Sequence, residues 1–341
     1  MNPNAGSDRI FEGDLRPPHL RRLERPKNVR ADAMLPIIFL CGFSCVYYGL
    51  RPALILLIAV GSAIGFEVLG CCFLRKKPSV NDGSAVVTGG IIGIVMSPVA
   101  PYWLPIAAAG FAILVVKLPF GGNGRNIFNP AAGGIALVTL CCPTLMFRYP
   151  DPSKWPVFIA QTSPAALLQA GGMPALKVQD LLLGNFAGPI GTVPVLLLLA
   201  SALYLLVRRC VSLHTLVPYV AAVTALAVLF PRIGTGDWIH SIMMEMSSGY
   251  LLFAGIFMFT DPVTAPKHWL GRIFFGLLGG VLVMLLRYHG AFEEGCCFAV
   301  LLLNPFAPAM DRIGWRLAFS ARRRWQRHRR RHIGNEKEAA V

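Results

Sequence analysis

Few residues of this chain can do chemistry, and most of those stand where apolar runs begin or end. In segment 120–131, FGGNGRNIFNPA, glycines and asparagines surround a single arginine. Such a backbone can turn several amide N–H groups toward an anion, and the Arg125 guanidinium can pair with a phosphate or a ring carbonyl. Arg125, Asn126 and Asn129 are therefore candidate cofactor-binding residues, although Gly and Asn also build ordinary interhelical turns. The pattern is not a G-x-G-x-x-G fingerprint between a strand and a helix. Two carboxylates, Glu67 and Asp261, stand within or beside apolar runs, where an ionised group is costly, so both are ion-pathway candidates. The competing readings are an interhelical hydrogen bond for Glu67 and a helix cap for Asp261, which precedes Pro262. Glu293 and Glu294 read as exposed residues at a helix start. No metal site is expected. The nine cysteines include three neighbouring pairs (Cys71 and Cys72, Cys141 and Cys142, Cys296 and Cys297), none with C-x-x-C spacing. They read as packing or lipid-facing residues, the alternative being ligands completed by partner subunits.

The element that must position these residues is a membrane. Hydrophobic residues make up 55% of the chain and charged ones 14%, against roughly 25% charged in a soluble domain. Apolar runs of hydrocarbon-crossing length are expected at 34–50, 52–74, 85–99, 102–119, 128–147, 190–207, 213–231, 248–261, 270–287 and 295–311, giving an all-α polytopic membrane protein of about ten transmembrane helices. The net charge of +15 is concentrated in tails at 9–30 and 322–331, which suits membrane topology and anionic lipid rather than nucleic acid. With both termini cytoplasmic, the organisation is a basic tail (1–33), a first transmembrane half (34–147), an extracytoplasmic loop (148–189), a second half (190–311) and a basic tail (312–341). No cleavable leader is expected, because a long basic and polar segment precedes the first apolar run. The halves echo each other: SPVAP (97–101) and FNPA (128–131) in the first, DPVTAP (261–266) and LNPFAP (303–308) in the second. Matched helix breaks of this kind imply two five-helix inverted repeats with a binding or ion site between them.

The blocks 257–280 (FMFTDPVTAPKHWLGRIFFGLLGG), 294–311 (EGCCFAVLLLNPFAPAMD), 121–134 and 181–199 (LLLGNFAGPIGTVPVLLLL) together resemble the RnfD/NqrB family. Its members are the flavin-carrying membrane subunits of the Rnf complex and of the sodium-translocating NADH:quinone reductase, and the chain length is more similar to the RnfD branch. The resemblance implies FMN esterified through its phosphate to a threonine that precedes the LLLGN block. The matching stretch is QTSPAALLQ, 161–169. Ser163 falls on the family threonine and Thr162 is the alternative acceptor, while Gln161 and Thr162 replace the small residues that normally lead into it. Read without the family, Thr162 and Ser163 are loop or helix-cap residues. A second, non-covalent flavin is an accompanying expectation. The implied function is that of a subunit of a redox-driven, ion-translocating oxidoreductase, Rnf-type and ferredoxin/NAD-linked, in the cytoplasmic (inner) membrane. Its partners would be other membrane and peripheral subunits, a flavin transferase and lipid. Two other readings use the same helix breaks: a secondary ion or solute transporter, and a flavin-less structural subunit.

Overall fold

The computed structural model describes residues 26–75, 82–122, 124–232 and 238–320. Most of both basic tails, and Lys76 and Lys77, lie outside the described residues. The first half contains α1 (Pro26–Tyr48), α2 (Arg51–Phe73), α3 (Ser84–Val95), α4 (Trp103–Phe111, continuing as a π-helix over Ala112–Lys117) and α5 (Pro130–Cys141). The second contains α6 (Val195–Val207), α7 (Leu213–Leu229), α8 (Trp238–Ser247), α9 (Trp269–His289) and α10, which starts at Cys296 and runs to Ser320. After α8 the chain turns and re-enters helix over Leu251–Phe253 and a π-helix over Ala254–Met258, the two parts being bent by 69°.

Among the described residues four helices are long and apolar enough to cross a membrane, or five if the bent pair counts as one span, and five further apolar helices are shorter. The outward faces carry large apolar side chains such as Phe39, Leu57, Leu203 and Val217. A water-facing surface would not sustain so many, and lipid accommodates them. The chain is a mostly helical, multi-pass membrane protein.

Local sequence explains most boundaries. Pro52 sits in the first turn of α2 and Pro130 in that of α5, where a missing N–H costs nothing. Asn129 caps α5, its Oδ1 accepting from Ala132 N at 3.2 Å. α1 begins about two turns before its apolar run, since a helix can extend through Lys, Asn and Arg once it leaves the hydrocarbon. The largest departure from expectation is α8, which precedes the apolar run expected at 248–261. Its sequence WIHSIMMEMS is too polar to register as a span, yet it buries Ser241, Met244 and Glu245.

Small residues let the helices touch. A Cβ on Gly276 or Gly280 of α9 would lie 2.2 Å from Thr215 O or 2.6 Å from Tyr219 O of α7. Close backbone approach of this kind drives association where lipid removes the hydrophobic incentive. Between α5 and α6, the antiparallel pair β1 (Tyr149–Pro150) and β2 (Ala160–Gln161) precedes the short helices Pro164–Gln169 and Val178–Leu183.

Candidate functional site

Both π-helices end at one cavity of about 380 Å³. Extra turns of this type often mark functional positions. Arg30 of α1, Ser84 and Thr88 of α3, Lys117, Asn126, Asn129 and Asp261 supply its polar lining, and Ile256 and Phe257 part of its apolar lining. Lys117 is almost fully buried. It donates to Glu67 Oε1 at 2.7 Å and to Ser84 Oγ at 2.6 Å, so the α2 carboxylate is neutralised by an α4 ammonium. An unpaired charge at that depth would cost several kcal/mol, about 3–5 when one partner of a buried pair is removed. Arg30 pairs with Asp82 at 3.5 Å, and Asp82 accepts from Ser84 N at 2.8 Å. Burial works against the Asp82 carboxylate, but the Ser84 hydrogen bonds, helped by Arg30 and Lys117, hold it below the usual range.

The FNPA and LNPFAP segments meet: the Asn129 N–H donates to Asn304 Oδ1 at 2.8 Å. Asp261 caps its own turn, accepting from Val263 N at 3.2 Å and Thr264 Oγ1 at 2.9 Å, and also lines the cavity. Asn126 Oδ1 is buried in the lining with no hydrogen-bond partner. A buried amide oxygen left this way is short of about 1–3 kcal/mol, which a ligand N–H or O–H can supply. Arg125 is exposed and is not part of the lining, its side chain lying against Gly121.

A second polar region surrounds the break after α8. Arg287 of α9 is fully buried and makes five hydrogen bonds: to Glu245 O and Oε2, to Ser248 O and Oγ, and to Glu294 Oε1. It thereby covers carbonyls that the end of α8 leaves without intrahelical partners, where a cation also suits the helix dipole. Arg232 grips Glu245 with two parallel bonds of 2.6 and 2.7 Å. The break demands Gly249. Its φ is +62°, and a Cβ there would fall 1.5 Å from Glu294 Oε1.

Glu293 and Glu294, expected to be exposed, are buried at 7% and 0% exposure. The sequence could not show that the 290–295 turn folds back over the α8 break and under the loop between the halves. Ser163 Oγ donates to Glu293 Oε2 and accepts from Ala166 N at 3.0 Å, capping helix Pro164–Gln169. Gln169 fastens the same helix to the turn through Gly290 O at 2.8 Å and Phe292 O at 3.2 Å. Esterified FMN does not fit Ser163 in this docked arrangement. The hydroxyl is buried, its one proton is donated to Glu293, and a phosphodiester would face the Glu293 carboxyl. Thr162, one residue earlier, is exposed. The cavity, by contrast, falls in the range of about 300–1,000 Å³ typical of small-molecule sites, and its Asn126 and Lys117 groups suit a flavin ring.

The residues singled out from sequence thus separate. Asn126, Asn129 and Asp261 come together at the cavity, Glu67 lies behind Lys117, and Ser163 and Thr162 belong to the loop that covers Glu293. Lys117, Arg287 and Glu245 were missed. The first two were legible as charged residues inside expected apolar runs.

Comparison with known proteins gives a consistent result. The family model for NQR2, RnfD and RnfE matches residues 15–319. Three relatives are each the D component of their complex. The chain is 30% identical over 308 residues to that of the Na(+)-translocating ferredoxin:NAD(+) oxidoreductase complex of Acetobacterium woodii, covering 87% of this chain and 91% of that one. It is 31% identical over 316 residues to that of the ion-translocating oxidoreductase complex of Ectopseudomonas mendocina, covering 86% and 92%. It is 28% identical over 317 residues to that of the proton-translocating ferredoxin:NAD(+) oxidoreductase complex of Clostridium ljungdahlii, covering 90% and 95%.

Proposed function

Because the chain belongs to the NQR2, RnfD, RnfE family, we propose that it is the flavin-carrying membrane subunit of an Rnf-type, ion-translocating ferredoxin:NAD oxidoreductase. The observation that carries the flavin reading is the cavity with its unpartnered Asn126 Oδ1 beside Lys117 and Asn129. A flavin bound there non-covalently would supply one- and two-electron transfer. Of this chain's residues, Asn126 would accept from a ring N–H and Lys117 would place positive charge near the ring. Ile256 and Phe257 would exclude water from it. The second flavin, FMN held by a phosphoester, would take the exposed Thr162 hydroxyl while the loop is docked, and Ser163 only after the segment 163–169 lifts away.

The architecture proposed around these sites is two inverted five-helix repeats in the cytoplasmic (inner) membrane. Both termini would lie in the cytoplasm and the 148–189 loop on the far side, following the distribution of Arg and Lys. Partner subunits would bring electrons in and carry them out, and a flavin transferase would make the ester. The relatives include sodium- and proton-translocating complexes at similar identity, so the family name alone does not choose the ion.

The test is flavin content after purification from membranes. Acid extraction is expected to release a non-covalent flavin from the native chain and none from Asn126→Leu. Peptide mass spectrometry is expected to find a covalent FMN that Thr162→Val removes. Full extraction yield from Asn126→Leu would refute the cavity assignment. A covalent adduct that survives Thr162→Val and disappears in Ser163→Ala would move the tether.

A further inference from the structure

The charged groups around the α8 break do not balance. Two guanidiniums, Arg232 and Arg287, face three carboxyls, Glu245, Glu293 and Glu294. Arg232 and Arg287 both bind Glu245, and Arg287 also binds Glu294 at 3.1 Å. That set closes at two charges of each sign, and no ion pair to Glu293 exists among the described residues. Glu293 is the surplus carboxyl. Its Oε2 accepts from the Ser163 hydroxyl, and its Oε1 is buried with no hydrogen-bond partner. From β1 the Tyr149 hydroxyl, kept neutral by burial, is a hydrogen-bonding neighbour that favours the ionised carboxylate and is outweighed by burial; from the turn comes Glu294, and from α9 Arg287 behind Glu294. Phe292, stacked on Phe298 and tilted against Phe147, shields the same turn.

An ionised carboxylate with a vacant oxygen in such a place is far costlier than a neutral carboxylic acid. A sodium ion would need several oxygen ligands, and this pocket offers Glu293, Ser163 and Tyr149 with a guanidinium nearby. We propose that Glu293 is a proton-binding site: it carries one exchangeable proton on Oε1, and the docked segment 163–169 covers it. Binding converts the carboxylate and one proton to the acid, with no other bond made or broken. The site does not depend on the flavin assignments. Burial pushes both Glu293 and Glu294 up to about 7, so the neighbouring carboxyls share a titration. The geometry assigns the proton to the one without a guanidinium.

Infrared spectroscopy of the purified full chain, titrated in pH, reads the C=O stretch of a protonated carboxyl directly. One band is expected to appear on acidification with a midpoint near 7. It should be absent in Glu293→Gln and shifted in frequency in Glu293→Asp, which retains the carboxyl if the glutamine variant does not fold. A band that survives in Glu293→Gln and is lost in Glu294→Gln overturns the assignment. So does a midpoint near the ordinary value of about 4.3, or one that falls when sodium replaces choline at constant ionic strength, which would mean that a metal cation competes for the carboxylate.

Discussion

Replacing Arg287 with methionine tests whether the polar ground at the α8 break is held by a closed set of charges. The substitution keeps an unbranched apolar stem in place of the guanidinium arm and removes five donated bonds. Glu245 retains its two bonds from Arg232 and its carbonyl keeps the Ser248 hydroxyl as a donor at 3.1 Å, so the damage falls on Glu294, which loses its guanidinium, and on the Ser248 carbonyl. Stranding one buried carboxylate costs about 3–5 kcal/mol. Each buried carbonyl left without a donor adds about 1–3 kcal/mol unless water reaches it. The expected loss is therefore at least ~4 kcal/mol, a fall in unfolding midpoint of roughly 6 °C for a chain of this length. Thermal unfolding can be followed by thiol labelling, because Cys296 and Cys297 are buried beside the network while Cys72 and Cys141 are exposed and give the background. Two controls make the reasoning specific. Arg287→Met with Glu294→Leu should recover part of the loss, and acidification should narrow the gap to the native chain by neutralising Glu294. If the double variant is no more stable than Arg287→Met alone, and the deficit is the same at every pH, the network is not electrostatically closed.

The Glu293 carboxyl, raised from 4.5 to about 7 by burial, against the Ser163 hydrogen bond and with Glu294 adding to the rise, fixes a sign for pH dependence. Between those values the folded chain keeps a proton that the unfolded chain has released, so this contribution is full below the lower value and is lost as pH climbs through the higher one. Unfolding midpoints should fall as pH rises across that window, by up to about 3 kcal/mol, and Glu293→Gln should flatten the slope. Lys117→Met should destabilise the fold by about 3–5 kcal/mol and empty the cavity of extractable flavin, whereas Lys117→Met with Glu67→Met should regain most of the stability but not the flavin. Gly280→Val should cost at least about 1–3 kcal/mol, read as loss of monodisperse protein in gel filtration, since its Cβ would lie 2.6 Å from Tyr219 O.

Much of the fold was readable because hydrocarbon imposes a simple rule: apolar runs become helices, and Pro and Gly mark where they stop. The two Asn-Pro segments singled out in the sequence touch in the fold, through the Asn129–Asn304 hydrogen bond. Helix α8 was not readable, because its polar sequence is compatible with burial only after Arg232 and Arg287 have neutralised Glu245. The burial of Glu293 was hidden for the same reason. It depends on the 163–169 segment docking from more than a hundred residues away, and no local pattern encodes that contact.

The two polar regions follow from one constraint. Backbone that departs from a regular helix inside lipid exposes N–H and C=O groups, and these must be met by side chains or by a ligand. At the α8 break the protein meets them itself: Arg287 supplies the donors, and carboxylates of two elements neutralise it. At the cavity, where both π-helices end, the internal matching stops one group short, at Asn126 Oδ1. A region whose charges are paired among themselves gains little from a charged ligand. One that leaves a buried acceptor beside an ammonium and an apolar wall is suited to a planar, hydrogen-bonding molecule. The ion-paired network thus serves as the frame and the open cavity as the receptor, with Glu293 and Glu294 sharing a titration at the edge of the frame.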